Sequence, residues 1–142
     1  MKFNPANEVS YRARLAARYL EEAEDALRRR DYRGAVASSQ LSTENSAKAV
    51  IALFSIPSWS HDPSHELLEV LHMLPENMRR LAEELAEIAR QLAPEHGRTT
   101  YGEPVKRLTP WDIYDEESAS EALSKATRAQ EIMNMILSKM RT

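Results

Sequence analysis

The sequence predicts an all-α protein, folded as an antiparallel up-and-down bundle of four to five helices in one domain that spans residues 1–142. Apolar residues recur at alternating steps of four and three, and this spacing places them on one face of a helix. Glycine is scarce at 3 residues, and the 7 prolines fall mostly in short clusters, which favours long helices joined by few loops. No strand pattern and no internal repeat stands out, and this length suits a single core.

The first two helices are predicted to form an antiparallel hairpin. The first runs from about Asn7 to Arg30, and three arginines close it, where cations complement the helix dipole. Asp31 is the expected N-cap of the second helix, Tyr32 to Ser55. The connection between them is very short, which is typical of antiparallel neighbours. The apolar stripe of the first helix consists of Val9, Ala13, Ala16, Leu20, Ala23 and Leu27.

The second helix has an unusual middle, within the segment Ser38 to Phe54, SSQLSTENSAKAVIALF. Its residues there are small, polar and mostly uncharged, whereas an ordinary surface helix carries lysine and glutamate. We therefore expect this helix to be the centre of a packed interface or of a polar pocket. Glu44 and Lys48 lie one turn apart, where opposite charges meet. These two residues could act as an acid and a base in catalysis, but we expect them to form a structural ion pair within the bundle.

The third helical region covers residues 62–93 and contains a break. The segment Ile56 to Ser64 is predicted to be a loop, and Asp62 followed by Pro63 is a typical helix start. Pro75 then interrupts the apolar pattern. The region is therefore either one kinked helix or two separate helices.

The stretch from Ala93 to Pro110 is predicted to be the longest irregular segment, and loops of this length are often functional. The last helix begins near Thr109 or Asp115, because both positions have capping residues. Its apolar stripe consists of Ala119, Ala122, Ala126, Ala129, Met133, Ile136 and Met140.

Composition excludes several classes of function. The formal net charge is −3, whereas a dedicated duplex-DNA binder is usually basic. The absence of cysteine excludes disulfides and thiolate zinc sites. The N-terminal segment has no long apolar run, so we expect no signal peptide, no membrane span and a cytoplasmic location.

Two histidines, His61 and His65, are spaced so that they would share a metal on a helix. However, His61 precedes the predicted helix start, and no carboxylate occupies a matching inward position. We therefore expect no metal site and no cofactor, and we expect His65 to bond locally.

Arg90 and His96 are separated by five residues, RQLAPEH. An imidazole can move a proton at a ribose hydroxyl, and a guanidinium can hold the phosphate, so this pair is a candidate for ribonuclease chemistry. The alternative is a solvated arginine and a histidine that complements a helix end.

Two basic segments are candidates for nucleic-acid contact. The first segment would bind phosphate and stack a base, or it would be an ordinary solvated connector. It contains Arg98, Tyr101, Lys106 and Arg107. A denser cluster, explained mostly by the helix dipole, consists of Arg28, Arg29, Arg30 and Arg33.

The chain resembles the HEPN domains, small helical bundles of prokaryotes and higher eukaryotes. The opening ARYLEEAEDALRRRDYRGAVASSQLSTENSAKAVIALF is similar to the family's first hairpin, with Glu44, Lys48 and Ala49 at its Glu-x3-Lys-Ala positions. His65-Glu66-Leu67 resembles the start of the family's third helix. The segment RTTYG, from Arg98, and the segment EESASEALSKATRAQEIM resemble later parts of the domain.

The resemblance implies a bundle that commonly dimerises and often accompanies a minimal nucleotidyltransferase in two-component modules, many of them toxin–antitoxin pairs. Some members are metal-independent endoribonucleases with an Arg-x(4–6)-His motif at the dimer cleft. Arg90 and His96 match that length, although Gln91 follows the arginine and Pro94 lies within the motif.

Three functions compete at this point. We favour a dimeric, nucleotide- or RNA-associated partner of a minimal nucleotidyltransferase, without catalysis of its own. The alternative is an endoribonuclease toxin that uses Arg90 and His96, and a further alternative is a purely structural dimeric bundle. The residues that we predict to bind the ligand are Glu44, Lys48, His65, Arg98 and Tyr101.

Overall fold

The computed structural model describes residues 4–141 and confirms the predicted all-α bundle. The four long helices are α1 (Pro5–Arg28), α2 (Tyr32–Ile51), α4 (Glu76–Leu92) and α7 (Glu116–Met140). Three short helices lie in the connections: α3 (Ser64–Glu69), α5 (Glu95–Tyr101) and α6 (Pro110–Ile113). Short 3-10 turns occupy Leu71–Met73 and Pro104–Lys106.

The ends of α1 and α2 are set by their capping residues. The side chain of Asn4 accepts a hydrogen bond from the amide of Ala6, and Pro5 occupies the first turn, so α1 begins two residues earlier than predicted. Arg30 has a φ of 62°, which ends the helix and turns the chain. The side chain of Asp31 accepts from the amide of Gly34, so α2 begins at Tyr32 as predicted.

Helix α2 is the central element of the bundle. Of its 20 residues, 14 are buried, so it has almost no solvent face. It packs on α1 and α7 and also contacts α3, α4, α5 and α6. The Ser42 hydroxyl donates to the carbonyl of Ala16 on α1 at 2.7 Å. The small polar residues of α2 therefore lie in a packed interior, and the helix ends at Ile51 rather than Ser55.

The region 62–93 forms two helices. Pro75 lies immediately before α4, and its missing amide hydrogen costs nothing at that position. The Asp62 side chain accepts from the amide of Ser64, the first residue of α3, but Pro63 is the N-cap of this helix rather than its first residue as predicted.

The prediction of an irregular segment from Ala93 to Pro110 was wrong in part, because it contains α5 and α6. Pro94 has helical angles, and a proline is compatible with the first turn of a helix, so α5 begins directly after α4. Gly102, with a φ of 69°, ends α5. Thr109 and Asp115 cap two different helices, α6 and α7. Within residues 4–141, no helix combines the length and apolar character that crossing a membrane requires.

Candidate functional site

A polar stripe runs along one face of α2 at positions i, i+4 and i+8. It consists of Gln40, Glu44 and Lys48, whose exposed fractions are 2%, 6% and 3%. Buried polar groups need hydrogen-bond partners, so other segments must meet this stripe. The loop before α3 supplies His61, and α5 supplies His96. We call these five residues the polar cluster.

Glu44 is the centre of the polar cluster. Lys48 Nζ donates to its Oε2 at 3.1 Å, and Gln40 Nε2 donates to its Oε1 at 3.1 Å. Nδ1 of His61 lies 3.0 Å from the same Oε1. Burial opposes ionisation, but the hydrogen bond from Gln40 and the charge of Lys48 outweigh it and lower the pKa of Glu44. The carboxylate is therefore ionised at neutral pH.

His96 is fixed by two neighbours. Its ring stacks on His61 with the centroids 3.5 Å apart, and its Nδ1 lies 3.1 Å from Gln40 Oε1. Since the ionised carboxylate of Glu44 only accepts hydrogen bonds, the amide nitrogen of Gln40 faces it and Oε1 faces His96. His96 Nδ1 is then the protonated nitrogen, and Nε2 keeps its lone pair.

Burial and the neighbouring His61 lower the pKa of His96, while Glu44 opposes this effect. The imidazole is therefore neutral at pH 7. Three potential metal-ligand atoms lie within 4.8 Å of one another among residues 4–141. They belong to Glu44, His61 and His96. The expectation that no carboxylate matches His61 was wrong, because Glu44 comes from another helix.

Arg90 lies outside the polar cluster, in the last turn of α4. It is exposed and donates to Glu87, one turn earlier on its own helix, through both Nε and Nη2. The hydrogen bond and the negative charge of Glu87 raise the pKa of Arg90. In the proposed catalytic pair, Arg90 therefore binds Glu87, whereas His96 contacts Gln40 and His61.

His65 stands apart from the polar cluster. It is highly exposed, and its Nε2 lies 3.0 Å from Glu69 Oε1 on the same helix. This is the local bonding that the sequence predicts.

Arg98 and Tyr101 lie on α5. Arg98 pairs with Glu95 and, at 2.7 Å, with Glu103. The hydroxyl of Tyr114 donates to the other oxygen of Glu95 at 2.7 Å, so these groups tie α5 to the chain before α7. Tyr101 is 75% exposed.

A second surface feature lies where α2 begins, beside α6. The Arg33 guanidinium lies 5.5 Å from the ring centroid of Trp111, and Arg33 Nη1 donates to the Thr99 carbonyl on α5. Trp111 is 72% exposed. Arg30 lines the same small cleft of about 120 Å³. We call Arg30, Arg33 and Trp111 the arginine–tryptophan cleft.

Three long helices packed around a fourth, polar central helix define a small helical-bundle domain. The sequence matches the HEPN domain family over residues 9–138, and the chain therefore belongs to that family. The fold is similar to the crystal structure of TT1696 from Thermus thermophilus, with a TM-score of 0.69 and 22% identity over 91% of this chain and 98% of that one. At this identity the likeness concerns the fold alone. No curated protein matches the sequence significantly.

Sequence reasoning missed Gln40, His61 and Trp111 as members of these two features. The polar stripe on the buried helix α2 could have indicated that a polar site exists, because buried polar side chains require hydrogen-bond partners from elsewhere in the chain. No sequence signal connected Trp111 with Arg33, because the pair depends on how α6 packs against the start of α2.

Proposed function

We propose that this HEPN-domain protein is a dimeric, nucleotide- or RNA-associated component of a two-component module, paired with a minimal nucleotidyltransferase of the toxin–antitoxin type. In this proposal it has no catalysis of its own. Family membership supports the dimer and the partner. The association with a nucleotide or an RNA rests on the arginine–tryptophan cleft.

The observation that carries this proposal is the exposed indole of Trp111 beside the Arg33 guanidinium. Arg33 lies over the ring, and Trp111 is still 72% exposed, so most of the indole is open to solvent. Single-stranded nucleic acids bind by stacking bases on such rings, while cations hold the phosphates. A base on Trp111 would find its phosphate within reach of the arginines that end α1.

Charge near the cleft supports the same conclusion. Arg29 and Arg30 are exposed, and neither has a carboxylate within 4.0 Å among residues 4–141. Tyr101 adds a second exposed ring at the end of α5. The following residue, Gly102, lies against the backbone of Leu108 and Thr109, so Tyr101 and Trp111 are carried by adjoining segments.

The test uses the fact that the chain has only 2 tryptophans. A labelled RNA of about eight nucleotides is titrated with wild type, Trp111→Ala and Trp59→Ala, and a mononucleotide is tested in parallel by tryptophan quenching. Trp59 is the matched control because it is 96% exposed and outside the cleft. We expect Trp111→Ala to weaken binding roughly 5- to 150-fold, because stacking one base contributes about 1–3 kcal/mol. The Trp59→Ala protein should bind normally and keep a quenchable Trp111.

Three other results would overturn the proposal. No binding by the folded wild-type protein would favour the purely structural bundle. Equal binding by the Trp111→Ala and wild-type proteins would place the ligand elsewhere. RNA cleavage without added metal that His96→Ala abolishes would replace the proposal with the endoribonuclease alternative of Arg90 and His96.

A further inference from the structure

We propose that Glu44, His61 and His96 bind one zinc ion. Each residue offers a ligand atom, and these atoms lie within 4.8 Å of one another although they come from α2, the loop before α3, and α5. The site is distinct from the arginine–tryptophan cleft and does not depend on the proposed function.

The chemistry of the donors fits this ion. Two imidazoles and one carboxylate are a ligand set of zinc sites that keep a position open for water or another ligand. At bond lengths of about 2.0–2.1 Å, two ligands on a tetrahedral zinc are roughly 3.3 Å apart. His61 Nδ1 and Glu44 Oε1 are already 3.0 Å apart. A metal would take the place of the proton that these two atoms now share.

The groups around the ligands are those that a metal site needs. Ligating histidines usually donate their second ring N–H to a carbonyl or carboxylate, which fixes the tautomer. His96 Nδ1 meets Gln40 Oε1 at 3.1 Å, which leaves Nε2 for the metal. Lys48 and Gln40 hold the carboxylate of Glu44 through Oε2 and Oε1, and the second lone pair of Oε1 remains for the metal. These contacts would therefore hold the ligands in a defined orientation.

Binding requires one local rearrangement. The planes of His61 and His96 are 18° apart, and a metal cannot lie in both ring planes while the rings are stacked. The rings must therefore splay. His61 is the group that can move, because its side chain is 53% exposed and lies on a loop, whereas Glu44 is buried in the central helix.

The experiment is a calorimetric titration of the full chain with zinc chloride after treatment with a chelator. We expect one zinc per chain in the wild-type protein. His61→Ala, His96→Ala and Glu44→Gln should each weaken binding at least tenfold. The matched control is His65→Ala, which removes the exposed pair of His65 and Glu69 and should bind as wild type does.

Folding of each variant is checked by circular dichroism. If Glu44→Gln does not fold, the zinc affinity of His61→Ala tests the proposal instead. An exposed loop side chain can be truncated without loss of the core. The proposal is overturned if folded wild-type protein binds no zinc, if His61→Ala binds as tightly as wild type, or if His65→Ala loses the site. The Trp111→Ala protein should bind zinc normally. The proposal on nucleic-acid binding and the proposal on zinc binding can therefore fail independently of each other.

Discussion

At the scale of single residues, the organising group is a buried carboxylate. Glu44 and Lys48 form the ion pair that their spacing predicts, with side-chain exposures of 7% and 3%. The pair alone does not satisfy the carboxylate, and Gln40 and His61 complete its hydrogen bonds. A buried ion pair offsets its desolvation only when its remaining hydrogen-bonding groups are also satisfied, and Gln40 and His61 do this for the carboxylate.

A second buried residue, Tyr114, predicts how stability depends on pH. Burial and the hydrogen bond to Glu95 raise the pKa of Tyr114 above its ordinary value of 10.0. The neutral phenol is therefore favoured in the folded state, and its contribution is fully present below pH 10 and is lost as the pH rises further.

The corresponding variant is Tyr114→Phe, which removes the hydroxyl that donates to Glu95. We expect the free energy of unfolding to fall by about 1 kcal/mol at neutral pH. We also expect the loss of stability above pH 10 to become smaller than in the wild-type protein, as measured by urea unfolding at several pH values. Tyr101→Phe, at an exposed position, serves as the control and should change neither quantity. An unchanged alkaline profile in Tyr114→Phe would contradict the assignment.

At the scale of elements, the bundle depends on the close approach of α1 to α2. Ala16 and Ser42 are both fully buried where these helices meet, and the serine hydroxyl bonds to the alanine carbonyl. Small side chains at this contact let the two backbones lie near each other. A larger side chain would force them apart.

We therefore expect Ser42→Leu to lower the free energy of unfolding by about 1–3 kcal/mol through overpacking. Ser42→Ala, which only removes the hydrogen bond, should cost about 1 kcal/mol. The control Ser120→Leu makes the same change at an exposed position of α7 and should be near neutral. The stabilities of the three variants are measured by thermal and chemical unfolding. Equal stabilities of Ser42→Leu and Ser120→Leu would show that the contact is not tightly packed.

Most elements were predictable from the sequence, because they depend on local signals. Apolar spacing located the four long helices, and capping residues such as Asp31 and Asp115 located their starts. The helix α5 was missed because Pro94 and Gly97 suggest a loop when read without context. The burial of Thr99 against the bundle, at 4% exposure, outweighs those local preferences.

The candidate site was less predictable than the helices, because it depends on tertiary packing rather than on local sequence signals. Arg90 and His96 were found by their spacing alone, and spacing does not show which partner each side chain binds. The approach of His61 to Glu44 depends on the path of a loop across α2, and loop paths leave no periodic signal. The sequence could show that the polar stripe needs partners, but only packing identifies them.

At the scale of the whole molecule, α5 joins the two functional features. Through His96 it contributes to the polar cluster, and its Thr99 carbonyl accepts a hydrogen bond from Arg33 of the cleft. Both features therefore depend on how this short helix packs on α2. The central structural claim is that three separate segments, α2, the loop before α3, and α5, converge at Glu44.

The most direct test of that claim is a nitrogen-15 NMR spectrum of the 4 histidine side chains in wild type and in Glu44→Gln. The account predicts that the ring resonances of both His61 and His96 shift in the variant, because each ring lies in the field of this carboxylate or of its partner Gln40. His65 and His72 should keep their shifts. Unchanged resonances of His61 and His96 in a folded Glu44→Gln protein would contradict the account.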